Sequence, residues 1–250
     1  MTIASESGHW YDREGNPTYQ VPNASKGGFR DTTLKDARKL HLVPSVTAIL
    51  NVASKPALTR YFVEQAYLAM ATLPEVKGES VEDRIRRAKL DAGEHSKQAR
   101  ERGTYLHSVL ERSFKGQLTQ QEQVEFAGMI DAVQGVLFEL FGEQKWIAER
   151  SFSHPLGYGG KVDLYCPEAV VDFKAKELKD KQLHWPEQAM QLDAYRNGLG
   201  IPSAMMVNLY IDRDNPELVR FHVWDEGDWF ERFKCLLRYW QLEKGYDSSF

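Results

Sequence analysis

Apolar positions recur at helical spacing through much of the first half of the chain. Ser45 is an N-cap candidate before Val46, Ala48, Ile49 and Leu50. Pro56 opens a second helix, with Leu58, Tyr61, Phe62, Gln65 and Leu68 in register. Ser80-Val-Glu-Asp83 has the form of a capping box, and helical sequence follows to about Phe114, with a break expected near Gly93. Residues 119–142 form one further helix with the stripe Val124, Ile130, Val133, Val136, Leu137 and Leu140. Ahead of all these, residues 8–30 mix Gly8, Gly15, Pro17, Pro22, Gly27 and Gly28 with Trp10, Tyr11, Tyr19 and Phe29, which predicts a loose hairpin or loop.

Beyond about residue 143 the period shortens. Strands are predicted at 145–153, 160–166 and 169–175, then a helix at 186–198, then strands at 203–211 and 217–223. A last helix, 226–243, carries Trp229, Phe230, Phe233, Leu236, Leu237 and Trp240, read as core packing. The expected class is α/β. Residues 1–250 form a single domain: a hairpin and helical half to about 115, and an α/β core over about 116–250.

Composition supports a folded chain of ordinary kind, 42% hydrophobic and 27% charged over 250 residues. Two cysteines, Cys166 and Cys235, provide no disulfide framework, no zinc pattern and no four-cysteine iron–sulfur site. Met1 to Ser7 has neither a signal peptide's apolar run nor an Arg-rich amphipathic address, and no 18-residue apolar stretch occurs. A cytoplasmic protein with no membrane partner is therefore expected. The net charge of −4 argues against a nonspecific DNA coat, although charge is locally uneven. Residues 84–102 hold seven basic residues, Arg100 and Arg102 among them, against three acidic ones.

The chemistry concentrates in residues 157–176, Gly-Tyr-Gly-Gly-Lys-Val-Asp-Leu-Tyr-Cys-Pro-Glu-Ala-Val-Val-Asp-Phe-Lys-Ala-Lys. Side chains alternate along a strand, so Asp172 and Lys174 share one face and Val171 and Phe173 the other. Asp163 on the preceding strand completes two carboxylates and one amine, a composition suited to a divalent cation beside a polarised water. Asp-x-Lys alone is equally a solvated strand face.

Asp163…Asp172-Phe-Lys174 resembles the signature of the PD-(D/E)XK nuclease superfamily. Gly103-Thr-Tyr-Leu-His107 and Gln191-Leu-Asp-Ala-Tyr195 resemble two motifs of its RecB-like exonuclease branch, which includes phage-encoded exonucleases and the mitochondrial genome maintenance exonuclease. The resemblance spans about residues 103–211, with its elements in the right order. It departs after the lysine, where Ala175 and Lys176 replace the small hydroxyl residues common in the family.

The resemblance implies a mixed-sheet core of restriction-endonuclease type. It implies Mg²⁺ or Mn²⁺ held by His107, Asp163, Asp172 and the Phe173 carbonyl, with Glu149 as a further ligand or an acceptor behind them. Lys174 would position the attacking water. Gln191 and Tyr195, four apart on one helix face, would work beside it, and Gln188 lies a turn earlier. Lys176, Lys161, Arg100 and Arg102 are phosphate-contact candidates, Arg150 another, and Tyr158 a base-stacking candidate. His9, His41, His154, His184 and His222 match no motif and are read as structural or exposed. The expected activity is a metal-dependent DNA exonuclease, acting on single-stranded or double-stranded ends in recombination, repair or phage DNA processing. An annealing or recombinase protein is a candidate partner. The rivals are a non-catalytic DNA-binding or recombination-partner module on the same fold, and a sequence- or structure-specific endonuclease.

Overall fold

The computed structural model describes residues 9–23, 27–53, 56–179 and 183–250, with side chains 56–58, 95 and 96 excepted. Met1 to Ser7, Gly8 and the Leu58 side chain lie outside the described residues. In chain order the elements are β1 (Trp10–Tyr11), β2 (Gln20–Pro22), β3 (Phe29–Asp31), α1 (Leu34–Leu40), β4 (Val43–Pro44), α2 (Val46–Leu50), α3 (Pro56–Thr72) and α4 (Val81–Phe114). They continue with α5 (Gln120–Glu125), α6 (Ala127–Phe141), β5 (Ile147–His154), β6 (Tyr158–Cys166), β7 (Ala169–Lys176), α7 (Pro186–Gly198), β8 (Met205–Asp212), β9 (Val219–Trp224) and α8 (Trp229–Lys244). The class is mixed α/β. Among the described residues no helix is long and apolar enough to cross a membrane.

The chain divides into two compact units, one of Met1–Ala53 with His107–Phe250 and one of Ser54–Leu106. The N-terminal segment to Ala53 thus belongs with the sheet in the larger unit. The smaller unit comprises α3 and α4 up to Leu106. Its basic residues are largely paired locally: Arg84 donates to Met70 O, Arg86 pairs with Asp83, Arg87 with Glu79, and Lys97 lies within reach of Glu101.

The larger unit is organised on a five-stranded sheet of order β5-β6-β7-β8-β9. Every pairing is antiparallel except β7 with β8, which run parallel with α7 as the connection between them. That connection follows from geometry, since parallel neighbours need a crossover. Val170, Val162, Leu192, Ala194, Ile49, Phe233, Leu237 and Trp240 belong to one buried cluster, so the sheet, α2, α7 and α8 share a core. Two small sheets, β1 with β4 and β2 with β3, complete the unit.

Two local expectations are revised, and one helix is added. Residues 119–142 are two helices, because Phe126 turns to φ −109°, ψ 13° and buries its ring, 4% exposed. Gly93 does not break α4, which is continuous from Val81 to Phe114; a single helical glycine costs only about 1 kcal/mol. Residues 34–40 form α1, started by a Thr33–Asp36 capping box that the sequence displays. The predicted Ser45 cap is present, its hydroxyl accepting the Ala48 N–H at 3.1 Å.

Candidate active site

The site lies where the sheet opens. β6 and β7 keep register only from Leu164↔Val171 to Cys166↔Ala169. Away from that end β6 continues to pair with β5, and β7 with β8. The two strands therefore diverge, and the first residues of the gap are Asp163 and Asp172. Asp163 reaches across it, Oδ2 accepting the Phe173 N–H at 2.8 Å.

Asp172 is 3% exposed and fully engaged. Lys174 Nζ contacts both its oxygens, Oδ1 at 3.0 Å and Oδ2 at 2.7 Å. Gln191 Nε2 donates to Oδ1 at 3.0 Å, and Asn208 Nδ2 donates to Oδ2 at 2.7 Å. Gln191 Oε1 accepts from Lys174 Nζ at 3.3 Å, while its Nε2 also donates to the Tyr195 hydroxyl at 2.9 Å. The four-residue spacing on α7 thus places Gln191 and Tyr195 in one hydrogen-bonded chain ending on Asp172 and Lys174.

His107 enters from α4 in its stretch within the larger unit. Nδ1 is 3.7 Å from Asp163 Oδ2, and the ring stands edge-on to Phe173 with centroids 6.1 Å apart. Phe114, two turns on, stacks on the same Phe173.

The electrostatics follow from burial and from two acids sharing one ammonium. Burial, then the charge of Asp172, raise the Asp163 pKa above the ordinary 3.8, with Lys174 and the Phe173 N–H offsetting part of the rise. Burial works against the Lys174 ammonium, but its ion pair and hydrogen bond with Asp172 outweigh this and raise its pKa. Lys174 is therefore a cationic donor at neutral pH. Burial lowers the His107 pKa despite the pull of Asp172, which leaves an imidazole suited to ligation. Burial and the charges of Asp172 and Asp163 hold the Tyr195 hydroxyl protonated.

Among the described residues no group of three His, Cys, Asp or Glu side chains is gathered as a ready metal site. The donors nonetheless suit a hard divalent ion. Asp163 accepts one hydrogen bond through Oδ2, with His107 Nδ1 3.7 Å from the same oxygen, and burial and then the charge of Asp172 raise its pKa, which a bound cation would relieve. Asp172 could join it only if Lys174 released one of its two contacts.

Glu149 stands on β5 beside this cleft in an unusual conformation, φ 60°, a left-handed value costly for a side-chain-bearing residue. Its flanking pairs, Ala148↔Leu164 and Arg150↔Val162, place it opposite Asp163. Its carboxylate forms an ion pair with Lys161.

Several expected contacts are placed elsewhere. Tyr158 is wholly buried, its hydroxyl donating to Ala194 O at 3.2 Å, so neither ring face is open to a base and its stacking role is withdrawn. Lys176 points its ammonium at Leu183 O, 2.8 Å away, and lies over the Tyr210 ring, so it is occupied by packing contacts. Gln188 is turned from Gln191, its Oε1 accepting from Trp185 N–H and the Tyr210 hydroxyl; it caps α7. Arg150 is exposed on β5, and Arg100 and Arg102 stand on α4 in the smaller unit.

The residue that sequence reasoning missed is Asn208. It is 0% exposed in the middle of β8, and its Oδ1 accepts from Trp224 Nε1 at 2.8 Å. That bond fixes which end of the amide faces Asp172. The signal was a single polar residue inside Met-Met-Val-Asn-Leu-Tyr-Ile, where a strand buried on both faces has no use for an unpaired amide. In comparisons with known proteins, no protein-family model matches the chain, and no curated protein matches it.

Proposed function

We propose that the chain is a metal-dependent DNA exonuclease with a PD-(D/E)XK core of RecB-like type. The observation that carries this reading is the pair Asp163 and Asp172 on diverging strands, with Lys174 seated on Asp172 and tied to Gln191 and Tyr195. A parallel β7–β8 pair joined through α7, with antiparallel strands on either side, supports the fold assignment. Asp163, Asp172, His107 and the Phe173 carbonyl would hold Mg²⁺ or Mn²⁺. The ion would supply Lewis acidity at the scissile phosphate and ease deprotonation of water.

The protein's own groups do the positioning. The Lys174 ammonium, seated on Asp172, orients the attacking water by hydrogen bonding and offsets charge growing on the phosphate. Attack of that water on phosphorus forms one P–O bond as the ester bond to the departing sugar oxygen breaks, the water giving up a proton to solvent and the departing oxygen taking one from it. Gln191 holds both Lys174 and Asp172, and Tyr195 holds Gln191, so the ammonium is aimed before DNA arrives.

The test is product mapping on end-labelled single- and double-stranded DNA with Mg²⁺ and with Mn²⁺, beside Asp172→Ala. Mononucleotides or short oligonucleotides released from an end by wild type and not by the variant are expected. Cleavage of a closed single-stranded circle would assign an endonuclease, and binding without cleavage would leave a DNA-binding module.

A further inference from the structure

The N-terminal segment is fastened to β6 at Gly159, four residues before Asp163 on the same strand. Ser45 N–H donates to His9 O at 2.9 Å, and Ser45 in turn bridges Gly159. A Cβ on Gly159 would lie 2.9 Å from Tyr11 Cβ, so the segment approaches β6 as closely as a glycine permits. Tyr11 is the anchor, 2% exposed, and its hydroxyl hydrogen-bonds that of Tyr19 at 2.8 Å. On the outer side His9 stacks on Tyr19, centroids 4.4 Å apart and planes 26° from parallel.

This stack is outside the core. Tyr19 is half-buried, His9 is exposed, and neither belongs to the buried cluster that holds Trp10. It also has a cation nearby: Lys161, two residues past Gly159, is close enough for its charge to reach both His9 and Tyr19. Lys161 is the partner of Glu149, opposite Asp163. A flat exposed ring, backed by a second ring and flanked by an ammonium, matches one nucleotide of a single strand. The base would lie on the imidazole and the adjoining phosphate would meet Lys161.

We propose that His9, backed by Tyr19, is a base-stacking step for single-stranded DNA beside the strand that carries Asp163, with Lys161 taking the neighbouring phosphate. This rests on the nuclease reading and specifies the strand form it accepts. The segment would hold one nucleotide of the bound strand and would engage an unpaired base, since a base inside a duplex offers no open face.

The experiment measures binding of a fluorescent single-stranded oligonucleotide with Ca²⁺ in place of Mn²⁺, using a series in which one abasic residue is walked along the strand. In wild type one abasic position should weaken binding about tenfold. His9→Ala should lose about tenfold on the intact strand and show no further penalty at that position. Tyr19→Phe retains the ring and should keep the abasic sensitivity. Circular dichroism checks that each variant is folded. The proposal is overturned if folded His9→Ala binds like wild type, if it retains the full abasic penalty, or if wild type does not bind the strand. Cleavage of the same strands with Mn²⁺ reports separately on the nuclease. Abasic coupling without cleavage would keep the stacking step and remove the nuclease, and cleavage without coupling would do the reverse.

Discussion

Asn208 shows how a buried amide can govern a carboxylate it never replaces. Trp224 fixes its oxygen, so its nitrogen must donate to Asp172, and Asp172 is held in one rotation. Asn208→Leu should leave Asp172 Oδ2 and Trp224 Nε1 short of a partner each, costing about 1–3 kcal/mol of stability. Mn²⁺ affinity should fall about 10- to 100-fold, as for groups that orient ligands. Calorimetric Mn²⁺ titration of the folded variant checks this; unchanged affinity would make Asn208 purely structural. Asp163 makes a prediction of its own. A carboxyl with a raised folded pKa binds more protons folded than unfolded between the two values, so it removes stability as pH rises upward from 3.8 through that interval. In chelator, urea denaturation of wild type should therefore show a steeper loss from pH 5 to pH 8 than Asp163→Asn. Equal slopes would mean Asp163 ionises freely. At this scale the sequence revealed the acids and the lysine, whose chemistry is distinctive. It hid the orientation of Gln188, Lys176 and Tyr158, whose types suit a ligand and a packed interior equally well.

Among elements, the strands and helices from β5 to α8 were legible in order and kind, with ends that differ by up to three residues, as at Trp229 for a predicted start at 226. Short apolar runs bounded by turn residues mark the strands, β8 being buried on both faces rather than alternating, and Pro186 opens α7. α1 was missed despite its capping box because only seven residues follow the cap. The break at Phe126 has no Gly or Pro at the break itself, only the demand that one aromatic ring be buried. What periodicity cannot show is the divergence of β6 and β7, because register is decided between strands and not within one. Gly160 sits inside that geometry: a Cβ there would lie 2.8 Å from Tyr195 Cε1 and 2.9 Å from Phe152 Cζ. Gly160→Ala should cost about 1–3 kcal/mol by overpacking. It should also displace Tyr195 and with it Gln191, lowering turnover more than DNA affinity. Urea denaturation and steady-state cleavage check the two parts; wild-type turnover in this variant would show that Tyr195 need not stay where it is.

For the whole molecule, a cation that binds only the folded chain must stabilise all of it. Mn²⁺ should raise the melting temperature of the wild type with concentration as ln(1 + [M]/Kd), and Asp163→Asn should lose most of that gain. A thermal melt in chelator and across a Mn²⁺ series decides it. A full shift retained by the variant would move the metal away from Asp163. The change of unit at Leu106–His107 falls inside α4, where no Gly or Pro marks it.

The ammonium lying across both oxygens of Asp172 has one more consequence. On the proposed reading the pocket is already occupied by a counter-ion of its own, so a divalent ion gains only what it offers beyond Lys174. An arriving phosphate changes the exchange, because it gives the lysine a second anion to face and frees an oxygen of Asp172. Nucleic acid and metal then tighten one another by the same factor, as linkage requires. Such a site is idle with either alone and is assembled by the pair.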